Sequence, residues 1–345
     1  MIPAGLVEFA ATFPTERACA DYLYGLRFPR GFRCPTCDAT TAYRSDEGRI
    51  LQCPNRHWTS LTAGTAMHKS KQSLLAWFWA AYFVGSHTPG ISAAQFQKHA
   101  RIARYETAFQ LLHKVRSALV IPDRAPLYGL VEVDETYITN RNREKIIIMG
   151  AVEVRQRRGT GRIVAKRPTI AGRVRLEVVK GEDAATFMRF CRKNIAPGST
   201  ILTDGDPSYN GLSDAGYGHT GTVQGRGRAA VYGLDHVHRE FSNLKRWLSG
   251  THHDAVSPQH MQAYCNEFAF RHNRREAPWV SILRVLSLVR MTRGRPEYKT
   301  LYGVRRGRVR SPTPGKVPWT HPNPRPPLRD SLGRFKTRTY KTRSK

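Results

Sequence analysis

Three features of this 345-residue chain predict a mixed α/β fold. Strand-like runs alternate with an amphipathic helix between residues 127 and 204, acidic residues stand where those apolar runs stop, and helical stretches lie before and after. The hydrophobic content of 40% suffices for one large domain or two to three smaller ones with real cores. A formal net charge of +30 gives the surface a broad positive field, which suits nucleic acid or an anionic membrane. The longest apolar run, Leu74 to Val84, is too short to span a bilayer, and no signal segment is recognisable ahead of it. Nucleic acid is therefore the expected partner, and the cytoplasm, at the nucleoid, the expected location.

From the N-terminus, residues 5–28 read as one amphipathic helix, with Thr15 and Glu16 able to start it and Cys19, Tyr22, Leu23 and Leu26 on one face. Cys34-Pro35-Thr36-Cys37 and then Cys53, behind the short strand Ile50-Leu51-Gln52, have the layout of a zinc ribbon, in which two loops offer ligands to one tetrahedral ion. A fourth Cys is expected near position 56, but the sequence reads Cys53-Pro54-Asn55-Arg56-His57. Either His57 completes a Cys3His zinc site, or the ribbon persists on packing alone and His57 faces solvent or DNA. Cys19, Cys191 and Cys265 stand alone in apolar stretches, so the cysteines resemble a metal site plus buried thiols in a reducing compartment.

Residues 1–70 are thus expected to hold the first helix and the ribbon-like module, and residues 71–122 a helical region. Helical spacing there runs from Leu74 to Tyr82, from Ser92 to Ala100 and from Tyr105 to Leu119. The last two helices flank Arg101-Ile102-Ala103-Arg104, with basic residues at the break and along the second helix. They look like a DNA-binding helix-turn-helix, although helical hairpins with basic rims also occur in proteins that never touch DNA.

Pro122 and Pro126 punctuate the chain, and strands follow at Leu130–Tyr137, Lys145–Val154 and Val174–Val179. Residues 183–195 read as a helix and Ser199–Thr203 as a short buried strand. Three consecutive strands, a helix and a further strand are the first half of an RNase H-like (retroviral-integrase-like) fold. After a Gly-rich, basic insertion from Gly216 to Gly233, helices are expected at Val237–Leu248 and Pro258–Asn273, and the core, residues 127–303, ends near Gly303. Residues 304–345 hold thirteen Lys/Arg against one acidic residue, Asp330. They are expected to be disordered in isolation, adding phosphate contacts or simply solvated.

Asp134 lies in the first core strand, Asp204 ends a later one, and His238 opens a helix that carries Lys245 two turns on. Phosphoryl transfer needs attacking and leaving oxygens held in line and their charge neutralised, which two divalent ions about 4 Å apart do well. Carboxylates on adjacent strand ends can bridge such ions, and hard oxygen ligands suit Mg²⁺ or Mn²⁺. Residues seven apart share a helical face, so His238 can reach an ion while Lys245 reaches a flanking phosphate. Glu240 is a second candidate ligand by spacing from Asp204, but at 100° per residue it points about 200° away from His238. Taken singly, Asp134 also reads as an exposed strand residue, Asp204 as a turn former and Lys245 as part of a solvated face.

Several of these segments together resemble a known family. Phe32-Arg33-Cys34-Pro35-Thr36-Cys37, Leu61-Thr62-Ala63-Gly64-Thr65, Val131-Glu132-Val133-Asp134-Glu135-Thr136, Thr203-Asp204-Gly205 and Phe241-Ser242-Asn243-Leu244-Lys245-Arg246 are similar to the zinc-ribbon DDE transposases of bacterial insertion sequences, the ISXO-two-like group. The resemblance runs from about residue 7 to residue 303. It implies an enzyme that binds the terminal inverted repeats of its own element, cleaves the DNA ends and joins the 3′ hydroxyls to a target, as a homo-oligomer on double-stranded DNA. Asp134, Asp204 and His238 take the places of the catalytic metal ligands, with Lys245 and Arg246 contacting DNA. The missing fourth ribbon Cys and the basic tail depart from the pattern. The same charge and modules would also serve a DNA-binding regulator or a transposase remnant without chemistry, and the core would serve a nuclease.

Overall fold

A computed structural model describes residues 5–119, 124–159, 162–221, 233–277, 282 and 284–287. The expected core end near Gly303, the basic tail 304–345 and residues 222–232 of the expected insertion lie outside these residues.

Two helices, rather than the single expected one, open the described chain: α1 (Leu6–Thr12) and α2 (Glu16–Arg27). Pro14 disfavours helical backbone at the residue before it, and Phe13 sits at φ −123° and ψ 59°. Thr15 restarts the helix by accepting the Ala18 N–H on its side chain. β1 (Tyr43–Arg44), β2 (Ile50–Gln52) and β3 (Trp58–Ser60) form an antiparallel sheet in that order. α3 (Leu74–Gly85), α4 (Ala93–His99) and α5 (Tyr105–Ala118) follow, with Ser73 and Ser92 capping the first two. One buried cluster, from Phe9 through Leu51 and Phe78 to Leu112, joins these helices to the ribbon.

The α4–α5 pair lies where it is expected, but the second helix does not carry all of its basic residues outward. Arg116 is buried against Glu267, Nε to Oε2 2.6 Å, with its guanidinium over the Tyr264 ring. Arg101 and Arg104, at the break, are exposed.

The second sheet comprises β4 (Leu130–Thr139), β5 (Lys145–Gln156), β6 (Thr169–Val179), β7 (Thr200–Thr203) and β8 (Gly218–Gly221), ordered β6-β5-β4-β7-β8. β4, β5 and β6 are an antiparallel meander, while β7 and β8 add parallel on the other side of β4. α6 (Arg162–Lys166) lies between β5 and β6, α7 (Ala184–Asn194) connects β6 to β7, and a 3-10 turn (Pro207–Leu212) leads to β8. One face packs on α8 (Asp235–His252) and α9 (Pro258–His272) through Ile148, Val174, Val237, Leu244 and Met261. The other packs on α7 and the 3-10 turn through Val131, Met149, Phe187 and Tyr209.

Three boundaries differ from expectation. β6 starts at Thr169 instead of Val174, because a register shift between Val152 and Val154 carries the pairing past Gly172 and Arg173. β8 falls inside the expected insertion; Gly218-His219-Thr220-Gly221 has no apolar alternation, and pairing with β7 plus a 3.0 Å Thr203 Oγ1–His219 Nε2 hydrogen bond hold it. α8 starts at Asp235, ahead of Val237, and its far end reaches the helical region: Trp247 Nε1 and Thr251 Oγ1 both donate to the Pro89 carbonyl, at 3.0 and 2.6 Å. Among the described residues no helix is long and apolar enough to cross a membrane.

Candidate active site and metal centre

The strand register runs the two aspartates toward one level. Glu132 on β4 pairs with Leu202 on β7, and continuing this parallel register places Asp134 beside Asp204, just past the last paired residues. Asp204 turns away from the strand as its Oδ1 accepts the Asp206 N–H at 3.1 Å. Gly205 follows at φ 85°, a backbone that strains any side chain. Asp206 then caps the 3-10 turn through the Ser208 N–H.

His238 arrives from α8. Its Nε2 lies 2.9 Å from Asp134 Oδ2, with the imidazole 48% and the aspartate 12% exposed, so the pair opens to solvent on the histidine side. The hydrogen bond to Asp134 outweighs burial and holds the imidazole pKa above its ordinary value. Two neighbours that the sequence reading did not single out fix this approach. Glu132, buried two residues before Asp134, accepts the N–H groups of His236 and Val237 on Oε2, both at 2.8 Å, and so anchors the first turn of α8. Burial pushes its carboxyl up to about 7 against those two donors. Gly150 on β5 pairs with Asp134, and a Cβ there would come within 2.5 Å of the Phe241 ring, so its bareness admits α8 to the sheet. The Val-Glu-Val-Asp alternation already placed Glu132 on the face of Asp134; nothing in the sequence marked Gly150.

Glu240 sits elsewhere. It is buried, with Oε2 2.9 Å from His272 Nδ1, while His272 Nε2 lies 3.0 Å from the Gly172 carbonyl oxygen. Burial would raise the Glu240 carboxyl, but the hydrogen bond from His272 and further polar neighbours hold it below its ordinary value. Lys245 and Arg246 are exposed on α8. Glu135 accepts the Tyr209 hydroxyl at 3.0 Å, and burial raises its pKa.

A carboxylate oxygen and an imidazole nitrogen at hydrogen-bond distance are also spaced like two ligand atoms at right angles about 2.1 Å from one octahedral ion, which stand roughly 3.0 Å apart. The 2.9 Å Nε2–Oδ2 separation has that span.

The N-terminal cysteines form a second centre. One ligand atom from each of Cys34, Cys37, Cys53 and His57 lies within 4.8 Å of all the others. Cys34 Sγ–His57 Nδ1 is 3.8 Å, Cys37 Sγ–Cys53 Sγ 3.7 Å and Cys53 Sγ–His57 Nδ1 3.6 Å. Sulfur and nitrogen ligands about 2.3 and 2.1 Å from one tetrahedral ion would be roughly 3.6–3.8 Å apart, so the four residues fit zinc. The Ala39 backbone hydrogen bond and the Asn55 amide, at 3.3 Å from Sγ, pull the Cys37 thiol down to about 6. This favours the thiolate that a metal takes. His57 therefore occupies the place of the missing fourth cysteine.

With this geometry in place, known proteins supply context. Residues 14–55 match the transposase zinc-ribbon domain, and residues 126–273 match the ISXO2-like transposase domain. An uncharacterised protein in transposable element ISH50 of Halobacterium salinarum is 26% identical over 306 residues, covering 80% of this chain and 97% of that protein. The two matches lie in one chain, which carries a region similar to the transposase zinc-ribbon domain and, behind it, one similar to the ISXO2-like transposase domain.

Proposed function

We propose that this protein mobilises its own insertion sequence, binding the terminal inverted repeats, cleaving the DNA ends and joining the 3′ hydroxyls to a target by metal-dependent phosphoryl transfer. One observation carries the reading: His238 Nε2 stands 2.9 Å from Asp134 Oδ2, and Asp204 directly follows β7, the strand that pairs with β4. A meander of three strands extended by two parallel ones supports an RNase H-like core over residues 127–303. Asp134, Asp204 and His238 hold two Mg²⁺ or Mn²⁺ ions, which when bound neutralise developing charge on the attacking and leaving oxygens. Glu132 and Gly150 keep α8 against β4 so that His238 stays at the site. Lys245 and Arg246 present cations on the same helix to flanking phosphates.

Residues 1–70 hold a zinc ion through Cys34, Cys37, Cys53 and His57. Residues 71–122 act as a helix-turn-helix-like element that leads with Arg101, Arg104 and the exposed first turn of α5. Residues 304–345 add phosphate contacts, and the active species is a homo-oligomer on DNA.

The test is an assay on a labelled DNA end from the flanks of the gene, with Mg²⁺ or Mn²⁺. Wild type is expected to cleave and join, whereas Asp134→Asn and Asp204→Asn bind the end and yield no product. Binding without chemistry by wild type would make the chain a regulator, and cleavage without joining would make it a nuclease.

A further inference from the structure

The ribbon sheet has two unlike faces. Tyr43 pairs with Gln52 and Gln52 with Trp58, so these three side chains stand in a row on one face, and alternation puts Ile50 and Ser60 beside them. The opposite face is packed: Leu51 and Thr59 are buried, and the Arg44 guanidinium lies 4.7 Å from the Tyr24 ring centroid. A sheet with one covered face ordinarily carries polar residues on the other. Here Tyr43 is 76% exposed, Trp58 52% and Ile50 41%. The metal ligands do not use this row, and no described residue covers it.

We propose that this outer face is a stacking platform for unpaired DNA bases, a reading that rests on the DNA-processing role proposed above. Adjacent strands are about 4.8 Å apart, which sets Tyr43 and Trp58 roughly 10 Å apart with Gln52 between them. The two rings offer flat faces to bases, and the Gln52 amide offers a donor and an acceptor to a base edge. Paired bases inside a duplex are already stacked and expose no face, so the complementary ligand is a frayed or single-stranded segment, such as the one beside a cleaved end.

Charge favours nucleic acid over protein. From Phe28 to Lys71 the chain has seven Lys/Arg against three Asp/Glu. Arg56 is exposed in the turn that leads into Trp58. A groove of about 690 Å³ continues from Ile50 and Ser60 past Arg49, His68 and Lys69, with Asp46 and Glu47 in its lining as well. A second copy of this chain, at +30, would bring like charge to the same surface.

The experiment uses the full chain and measures affinity for oligo(dT) and for a blunt duplex at one salt concentration. Stacking of one base on an aromatic ring is worth about tenfold or more in affinity. The Tyr43→Ala/Trp58→Ala double variant is therefore expected to lose about tenfold or more for oligo(dT) and less than about threefold for duplex. The slope of log K against log salt should stay the same, since no charge is removed. Tyr43→Phe/Trp58→Phe is expected to restore single-strand binding, and zinc content should not change. Undiminished oligo(dT) binding, an equal loss for both ligands, or a shift in sedimentation that marks the face as a contact between copies would overturn the platform. If wild type binds neither DNA, the DNA-processing role itself fails, an outcome distinct from wild type binding both and the double variant behaving identically.

Discussion

Replacing Glu132 by Ala tests how the fold delivers His238. In the native structure one buried oxygen accepts the His236 and Val237 N–H groups, each at 2.8 Å. Removing it strands two buried donors at about 1–3 kcal/mol each, or roughly 2–6 kcal/mol, less whatever water entering the gap restores. A loss of about 3 kcal/mol in urea unfolding of the core is expected. Glu132→Gln keeps a carbonyl oxygen in place and loses only charge at a helix N-terminus, about 1 kcal/mol. Hydrogen exchange supplies the local readout, because the His236 and Val237 amides should exchange at least tenfold faster in the Ala variant than in wild type. As α8 loosens, the Mn²⁺ concentration needed for strand transfer should rise. An Ala variant within about 0.5 kcal/mol of wild type, with those two amides still protected, would refute the anchoring role.

Freshly purified protein is expected to carry about one zinc per chain by metal analysis, and His57→Ala to lower that content without unfolding the core. Gly150→Ala forces a Cβ to within 2.5 Å of the Phe241 ring, and such overpacking costs about 1–3 kcal/mol. Strand transfer should fall with it, and Phe241→Leu in the same chain should recover part of both. Glu153 reports on acid stability: burial would raise its carboxyl, but Arg173, Arg155 and two backbone N–H groups hold it at about 2, below the ordinary 4.5. Its contribution is full above 4.5 and is lost as pH falls towards 2, so acid unfolding followed by circular dichroism should be less steep in that window for Glu153→Gln. Because a metal replaces a proton on His238, the Mn²⁺ concentration for half-maximal activity should rise about tenfold per pH unit below the raised imidazole pKa.

The candidate site residues could be picked out of the sequence because their signals are local. Asp204 stands where an apolar run stops, Asp134 alternates with Val131 and Val133 inside a strand instead of ending it, and the helical spacing of His238 and Lys245 needs no knowledge of the fold. Contacts over long separations were not legible. Arg116 falls among the basic residues that made the second helix look DNA-binding, because its partner, Glu267, is 151 positions away. Gly150 has meaning only once the register places it opposite Asp134 and beneath Phe241. β8 carries no hydrophobic period, since backbone pairing with β7 makes it a strand. The break between α1 and α2 was available locally in Pro14, where the apolar spacing on either side masked it.

The choice between His238 and Glu240 as third ligand is tested most directly by strand transfer in Mn²⁺ with His238→Ala and Glu240→Gln, each first checked for native circular dichroism. His238→Ala should be inactive, like Asp134→Asn and Asp204→Asn, because it removes the nitrogen 2.9 Å from Asp134 Oδ2. Glu240→Gln should remain active, because its carboxylate pairs with His272 inside the core. An inactive but folded Glu240→Gln beside an active His238→Ala would contradict the assignment of the site to Asp134, Asp204 and His238.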